Sequence, residues 1–511
     1  MPAAAAVNST RQPVPWREGL LLALWLLLTL WARPLLLPDE GRYAGVAFEM
    51  LRGDALVPTL DGLPFFHKPP LLYWLDIAAM QVFGVDEFAV RAGPALAAWL
   101  MGMALLLHLR RWQGPRLAQR GLLVLASSPL FFVGAQYVNH DMGVAACISA
   151  AVLAAVRAVE PGTGEQPARS LAALLLAWAF CGLGVLAKGL IGVVLPVLVV
   201  LPWLLAQRRW RDALWLAHPL GLALFALIVA PWMLLMQARY PGFFDYFIVE
   251  QHFRRYAGAA FNNQQPMWFF IVVLPLLMLP WSLWLWPALR QRGAQAGLYL
   301  WWVAVVVGFF SLPASKLVGY VMPALAPMAA LLALALAGRD GRRVWRSLAA
   351  LAAGLCLAIV AGLAWKAPGS HQDLGLALAQ RLQPGDRVVF VDHYFYDVPF
   401  YARLAEPPVV VSDWDDPEIP RHDNWRKELH DAARFDPAQG ARVLWPWQRV
   451  AELGCGAGAT WWLAKHDTLA RLQALQALQA VRGLQTVVTG RHGVLLRSAA
   501  QDCRAAQAAP P

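Results

Sequence analysis

Apolar runs long enough to cross roughly 30 Å of hydrocarbon recur through the first two thirds of this chain. They lie at about 19–37, 91–109, 121–138, 142–158, 171–187, 189–206, 213–236, 267–289, 297–313, 318–337 and 347–366. That pattern excludes a water-soluble domain and predicts a multi-pass α-helical membrane protein with eleven crossings, or eleven to thirteen once short or proline-broken helices are allowed for. Composition agrees, because 59% hydrophobic residues, 15% charged residues and 25 tryptophans in 511 residues lie well outside globular usage.

The net charge of +11 does not point to nucleic acid. The basic residues form no single patch; Arg11 and Arg17, Arg110 to Arg120, Arg157 and Arg169, Arg208 to Arg211, Arg290 and Arg292, and Arg339 to Arg346 fall in the short connections between alternate runs. By the positive-inside rule these connections are cytoplasmic, with anionic membrane lipids as partners of the charge. An odd number of crossings with the N-terminus inside then puts the C-terminal tail outside. A cleaved signal peptide is the competing reading of the first run, but no small-residue cleavage site lies between Trp31 and Pro38.

The expected organisation is therefore a cytoplasmic N-terminus (1–18), a membrane domain (19–366) with external loops at 38–90 and 237–266, and a small external α/β domain (367–511) opening at Pro368-Gly369-Ser370. In that domain Val388–Val391 and Val409–Val411 read as buried strands, Leu484–Thr489 with Gly493–Leu496 as a hairpin, and 463–481 as a helix. Cys147, Cys181 and Cys356 lie in apolar runs and behave as small hydrophobes. For Cys455 and Cys503, in the exported tail, a disulfide and two thiols stay equally open.

Once this topology is assumed, the ionisable side chains gather on one face. Asp39, Glu40, Arg42, His67 and Lys68 occupy the first external loop; Asp141 follows Asn139-His140; Lys188 sits between two runs; Glu250, His252, Arg254 and Arg255 lie in the second external loop; Ser315, Lys316 and Tyr320 follow the ninth run. The cytoplasmic connections hold arginine and little else able to do chemistry. Singly, each residue has an ordinary reading, a snorkelling cation, a packed histidine or a belt tyrosine. Asp141 and Lys188 resist it, because an ionisable group in or beside an apolar run is costly and marks a pathway or a site.

The segments Pro38-Asp39-Glu40-Gly41-Arg42-Tyr43, Phe66-His67-Lys68-Pro69-Pro70 with Tyr73-Trp74, Leu186-Ala187-Lys188-Gly189, Gln251 to Tyr256, and Ser315 to Tyr320 with Pro323, in that order, resemble the GT-C glycosyltransferases, and among them the bacterial aminoarabinose transferases and protein mannosyltransferases. The external α/β tail is similar to that family's arrangement. The resemblance implies an enzyme of the bacterial inner membrane that moves a sugar from a polyprenyl-phosphate carrier to a glycolipid or other acceptor on the periplasmic face, with inversion at the anomeric carbon. An acceptor hydroxyl must lose a proton as it attacks, which makes Asp39 the candidate base, with Glu40 or Asp141 orienting the acceptor. The departing lipid phosphate gains negative charge, so Lys68, Arg255 and Tyr320, with Lys188, Arg254 and Lys316 nearby, are the candidate clamp.

His67 departs from the family, which carries glutamate before the Lys-Pro pair. In the resemblance that glutamate and the residue matching His252 form a divalent-metal site, and a His67/His252 pair keeps affinity for zinc. Two histidines bonded to carboxylates carry equal weight, because two ligands are fewer than a closed zinc site needs. The substitution also weakens the inference that the sugar is aminoarabinose. A transporter or flippase is the alternative from another class. Ionisable residues at one face rather than mid-membrane, no evident inverted repeat and a folded external tail count against it.

Overall fold

The computed structural model describes residues 15–160, 169–254, 263–337, 342–453, 458–477, 481 and 483–500. They form two compact units, one of Met1–Ala32 with His67–Trp365 and one of Arg33–Phe66 with Lys366–Pro511.

The first unit is helical. Among the described residues seven helices are long and apolar enough to cross a membrane: Glu87–Gln113, His140–Ala158, Leu171–Lys188, Trp210–Arg239, Ala294–Ser311, Val318–Ala335 and Arg343–Lys366. Two bent pairs, Pro115–Ala126 with Pro129–Ala135 and Phe269–Leu276 with Trp281–Leu289, bring the number to nine if each is one span. The chain is a multi-pass membrane protein, and the described residues add the shorter apolar helices Leu71–Phe83 and Ile191–Ala206. The first run yields only Trp16–Leu27, because the buried Arg33 and the prolines at 34 and 38 interrupt its second half. The run beginning near 189 yields the 16-residue helix Ile191–Ala206, cut from its predecessor by Gly189 at φ +98°.

That break lets Leu171–Lys188 and Ile191–Ala206 fold back on each other backbone to backbone, since a Cβ added at Gly184 would lie 2.9 Å from the Gly192 Cα. Burial sorts the spans: the best apolar window of His140–Ala158 is 83% buried, whereas that of Arg343–Lys366 is 17% buried. The first is the centre of the unit, and the second is a face left for lipid. Lys188, at the fold-back, therefore ends up against the start of the central helix.

The second unit is built on a six-stranded sheet. Strands β1 (Thr59–Leu60) and β2 (Leu63–Pro64) form a separate small hairpin. The large sheet comprises β3 (Arg387–Val391), β4 (Val409–Ser412), β5 (Leu444–Pro446), β6 (Thr460–Ala464), β7 (Gln485–Thr489) and β8 (Val494–Ser498), in the order β5-β4-β3-β6-β8-β7. Pairings among β5, β4, β3 and β6 are parallel, while β8 runs antiparallel to β6 and to β7. The strands at 388–391 and 409–411 and the closing hairpin lie where the sequence places them. The helix expected over 463–481 is shorter, Leu469–Ala477, because Trp461, Trp462, Leu463 and Ala464 are fully covered in β6. A strand buried on both faces is a short continuous apolar run, which periodicity cannot tell from the start of a helix.

The segment expected as an external loop carries regular structure of its own. Asp39–Arg52 is a helix that packs within the sheet unit, with Phe48 edge-on to Phe400 at 6.2 Å and Tyr401 accepting the Leu35 amide at 2.9 Å. Leu71–Phe83 is a helix of the first unit.

Candidate active site

In the helical unit the chemistry gathers where three elements end. Asn139 caps the helix His140–Ala158, its Oδ1 accepting from the Asp141 amide at 3.0 Å, which leaves the Asp141 carboxylate in the first turn, the favourable end of the helix dipole. Lys188 is the last residue of Leu171–Lys188, the end that favours a cation. Its Nζ donates to Asp141 Oδ1 and lies 4.5 Å from the centre of the Tyr320 ring, held by an anion on one side and a π-face on the other. Tyr320 belongs to the 3₁₀ turn Val318–Ala324. The residue before it must be glycine, because a Cβ at 319 would run into the Asp141 carboxylate. Both partners are nearly covered, with side-chain exposures of 12% for Lys188 and 5% for Asp141. Such a pair is costly to break from one side only.

The other predicted residues of this unit come from elsewhere in the chain and have further partners. Lys68 Nζ donates to the His67 carbonyl at 3.1 Å, the His67 ring lies 5.9 Å from that of Tyr246, and Tyr73 meets His140 edge-on at 5.1 Å. The Lys316 ammonium is spent on backbone, donating to the carbonyls of Gln265 at 2.9 Å and of Pro313. With Lys316 N to Asn263 O at 3.0 Å, it ties two loops together. The side chains of His252 and Arg254, and all of Arg255, lie outside the described residues, as do Cys455 and Cys503. Cys147, Cys181 and Cys356 are buried free thiols. Among the described residues no group of three or more His, Cys, Asp or Glu is placed to hold a metal ion.

The sheet unit carries Asp39 and Glu40, the first two residues of the helix Asp39–Arg52, and treats them differently. Glu40 is fully buried, takes both guanidinium nitrogens of Arg33 and accepts the Leu36 amide at 2.8 Å. The Asp39 side chain remains 27% exposed, with Arg42 Nη1 3.9 Å away. Arg42 is turned mainly to Glu428, at 3.0 Å, and lies 5.0 Å from the Tyr396 ring centre; the Tyr396 hydroxyl donates to Glu428 Oε2 at 2.5 Å. Burial pushes the Glu428 carboxyl up, against the pull of Arg42 and of the tyrosine hydroxyl. Burial and the Glu428 charge push Tyr396 well above the ordinary phenol range. Sequence reasoning missed Arg33, Tyr396 and Glu428. Only Arg33 carried a signal, a lone cation at the end of an apolar run.

A second acidic group surrounds the hairpin. Glu49 accepts the amides of Asp61 at 2.8 Å and Gly62 at 2.9 Å. Asp61 is completely buried, and among the described residues neither of its carboxyl oxygens has a hydrogen-bond partner. Burial, and then the neighbouring Glu49, push the Asp61 carboxyl well above its usual range.

Comparison with known proteins agrees with the arrangement. Residues 25–247 match the family of dolichyl-phosphate-mannose-protein mannosyltransferases. An undecaprenyl phosphate-alpha-4-amino-4-deoxy-L-arabinose arabinosyl transferase of Pseudomonas aeruginosa is 36% identical over 462 residues, 87% of this chain and 82% of that protein. One from Sodalis glossinidius is 38% identical over 331 residues, 63% of this chain; the match spans only 59% of that protein's length. The crystal structure of ArnT from Cupriavidus metallidurans bound to undecaprenyl phosphate superposes with a TM-score of 0.79 at 24% identity, over 95% of this chain and 98% of that one. That likeness confirms the fold, and the kinship sets the transporter reading aside. The chain belongs to the GT-C glycosyltransferases, in the family of the aminoarabinose transferases.

Proposed function

We propose that this glycosyltransferase moves 4-amino-4-deoxy-L-arabinose from undecaprenyl phosphate to a lipid A-type glycolipid at the periplasmic face of the inner membrane, the N-terminus lying in the cytoplasm and the sheet unit in the periplasm. The observation that carries this reading is the Lys188 ammonium, held between Asp141 and Tyr320 in a chain whose relatives are named for that donor. A cation fixed at the end of a span is what a lipid phosphate needs as its charge rises.

In the reaction, Asp39 takes the proton of the acceptor hydroxyl as its oxygen attacks the anomeric carbon. The bond from that carbon to the phosphate oxygen breaks, and its electron pair stays on the polyprenyl phosphate. Lys68, Arg255 and Tyr320, with Lys188, Arg254 and Lys316, balance that charge. Asp141 holds Lys188 in place until phosphate competes for it. Of the two adjacent carboxylates Asp39 suits the base because part of it stays exposed, whereas Glu40 is committed to Arg33 and the Leu36 amide and fixes the turn that presents Asp39. Among the described residues no donor set is placed to hold a metal ion, and the His252 side chain, the expected partner of His67, lies outside them.

The test is mass spectrometry of lipid A glycolipids from cells with and without the protein. A mass increase of one aminopentose per acceptor supports the reading; its absence, or a different added mass, overturns the acceptor or the sugar. Asp39→Asn should lower turnover about 10²–10⁴-fold, the usual worth of a general base, with the protein still present in the membrane at wild-type level.

A further inference from the structure

At the end of the helical unit away from Lys188 there is a cavity of about 220 Å³. Its wall is almost wholly hydrocarbon: Ala151 and Ala155 of the central helix, Ala177 and Trp178 of Leu171–Lys188, Val200 of Ile191–Ala206, and Ala213 of the short helix Trp210–Leu216. Even the polar atom of Trp178 is turned away from it, the indole N–H donating to the Leu216 carbonyl at 2.7 Å. Small residues on facing helices make the space, and water gains nothing by entering a slot without polar partners. Val197 and Leu201, both lining the slot, are about 40% exposed, so it opens onto the surface that faces lipid tails. Ala151 and Ala155 lie ten and fourteen residues beyond Asp141 on one helix, about 15–21 Å away, so this is not the Lys188–Asp141–Tyr320 site.

The slot ends beneath an excess of positive charge. Asp212, next to the lining residue Ala213, is buried and accepts from Arg209 at 2.9 Å and from Arg169 at 3.5 Å. One acid thus serves two guanidinium groups and is fully spent. Arg208 and Arg211 are exposed, and neither forms an ion pair among the described residues; Arg211 lies 5.2 Å from the Trp210 ring centre. Nearby, Glu160 is likewise shared, by Arg111 and Arg157. A hydrocarbon slot topped by exposed arginines that have no ion pair among the described residues, beside an interfacial tryptophan, has the two-part chemistry of a phospholipid with an anionic headgroup.

We propose that this end of the membrane unit is a binding site for an anionic phospholipid, one acyl chain lying in the slot and the phosphate meeting Arg208 and Arg211. A zwitterionic lipid brings its own cation to the arginines and binds less well. A protein helix is too wide for a slot of this volume.

The experiment is native mass spectrometry of the full-length protein in detergent, titrated with phosphatidylglycerol and with phosphatidylcholine of the same acyl chains. Phosphatidylglycerol should bind more tightly, and Arg208→Gln and Arg211→Gln should each weaken it about fivefold, the worth of one arginine near an anionic headgroup. Ala213→Leu, which fills the slot, should weaken it comparably; Ala217→Leu, at the exposed rim, serves if the first variant does not fold. Equal binding of the two lipids overturns the proposal. Loss in the arginine variants with no loss when the slot is filled also overturns it, because that is surface attraction alone. So does displacement of phosphatidylglycerol by equimolar undecaprenyl phosphate, which would make the slot a seat for the donor's tail.

Discussion

Asp141 of the helical unit and Asp61 of the sheet unit are both buried, and in opposite ways. Asp141, 4% exposed, is matched to a lysine and a helix N-terminus. Asp61, with no exposure at all, has the Glu49 carboxyl beside it instead, and burial and that neighbour push its own carboxyl well above the usual range. A buried ion pair adds little stability over a well-packed apolar pair; what it supplies is a cation at a fixed place that an incoming anion can claim. A buried acid whose carboxyl is pushed up offers no such handle, and its effect is a dependence of stability on pH.

The strongest way to break the contrast is to remove one partner of the charged pair. Lys188→Met should leave the Asp141 carboxylate buried and alone, destabilising the helical unit by about 3–5 kcal/mol and weakening donor binding. The double variant Lys188→Met, Asp141→Asn should recover most of the stability and none of the donor affinity. Thermal unfolding in detergent gives the first quantity and binding of undecaprenyl phosphate the second. Recovery of both would mean that Lys188 serves packing alone. A gentler perturbation is Gly319→Ala, whose new methyl meets the Asp141 carboxylate. Overpacking of this kind costs about 1–3 kcal/mol, and it should move the pair without discharging it, lowering donor affinity while the melting temperature falls less than in Lys188→Met.

How far these features can be read from the chain depends on how local each one is. Hydropathy is local, so every apolar run is found as helix, and the break at Gly189 is legible; the error lies in length, as where the prolines at 34 and 38 interrupt the second half of the first run. Asp141 and Lys188 stand out because each is ionisable beside an apolar run, although 47 residues separate them. In the sheet unit β3, β4 and the β7–β8 hairpin are bounded by turn residues and are legible, whereas β6 is a short apolar run parted from an Ala/Leu/Gln segment only by the turn at 465–468. Arg42 is visible in the sequence, but its partner Glu428 is hundreds of residues away, on a helix recognisable only by its Asn424 cap. Asp61 reads as an ordinary turn residue before Gly62. Its left-handed φ of +59° fits that role, and nothing local announces that the turn is buried.

The smallest expected effect tests the raised carboxyl of Asp61 itself. In the unfolded chain the Asp61 carboxyl loses its proton near pH 3.9, whereas in the folded protein burial and Glu49 keep the proton on to a higher pH. The folded state therefore binds more protons than the unfolded one between those two values. The contribution of Asp61 to stability is present below the unfolded value and is lost as pH rises towards the folded one, by up to about 1.4 kcal/mol per pH unit. Asp61→Asn keeps the shape, tolerates the left-handed backbone and cannot ionise. It should raise the melting temperature at pH 8 by a few degrees, an effect of about 1 kcal/mol, and change it little at pH 4. Glu49, also raised by burial, retains its own smaller slope in the variant. Calorimetry of the purified protein at the two pH values decides the matter: an equal shift at both, or a loss at pH 8, would mean that Asp61 is ionised in the folded state and that the contrast with Asp141 is false.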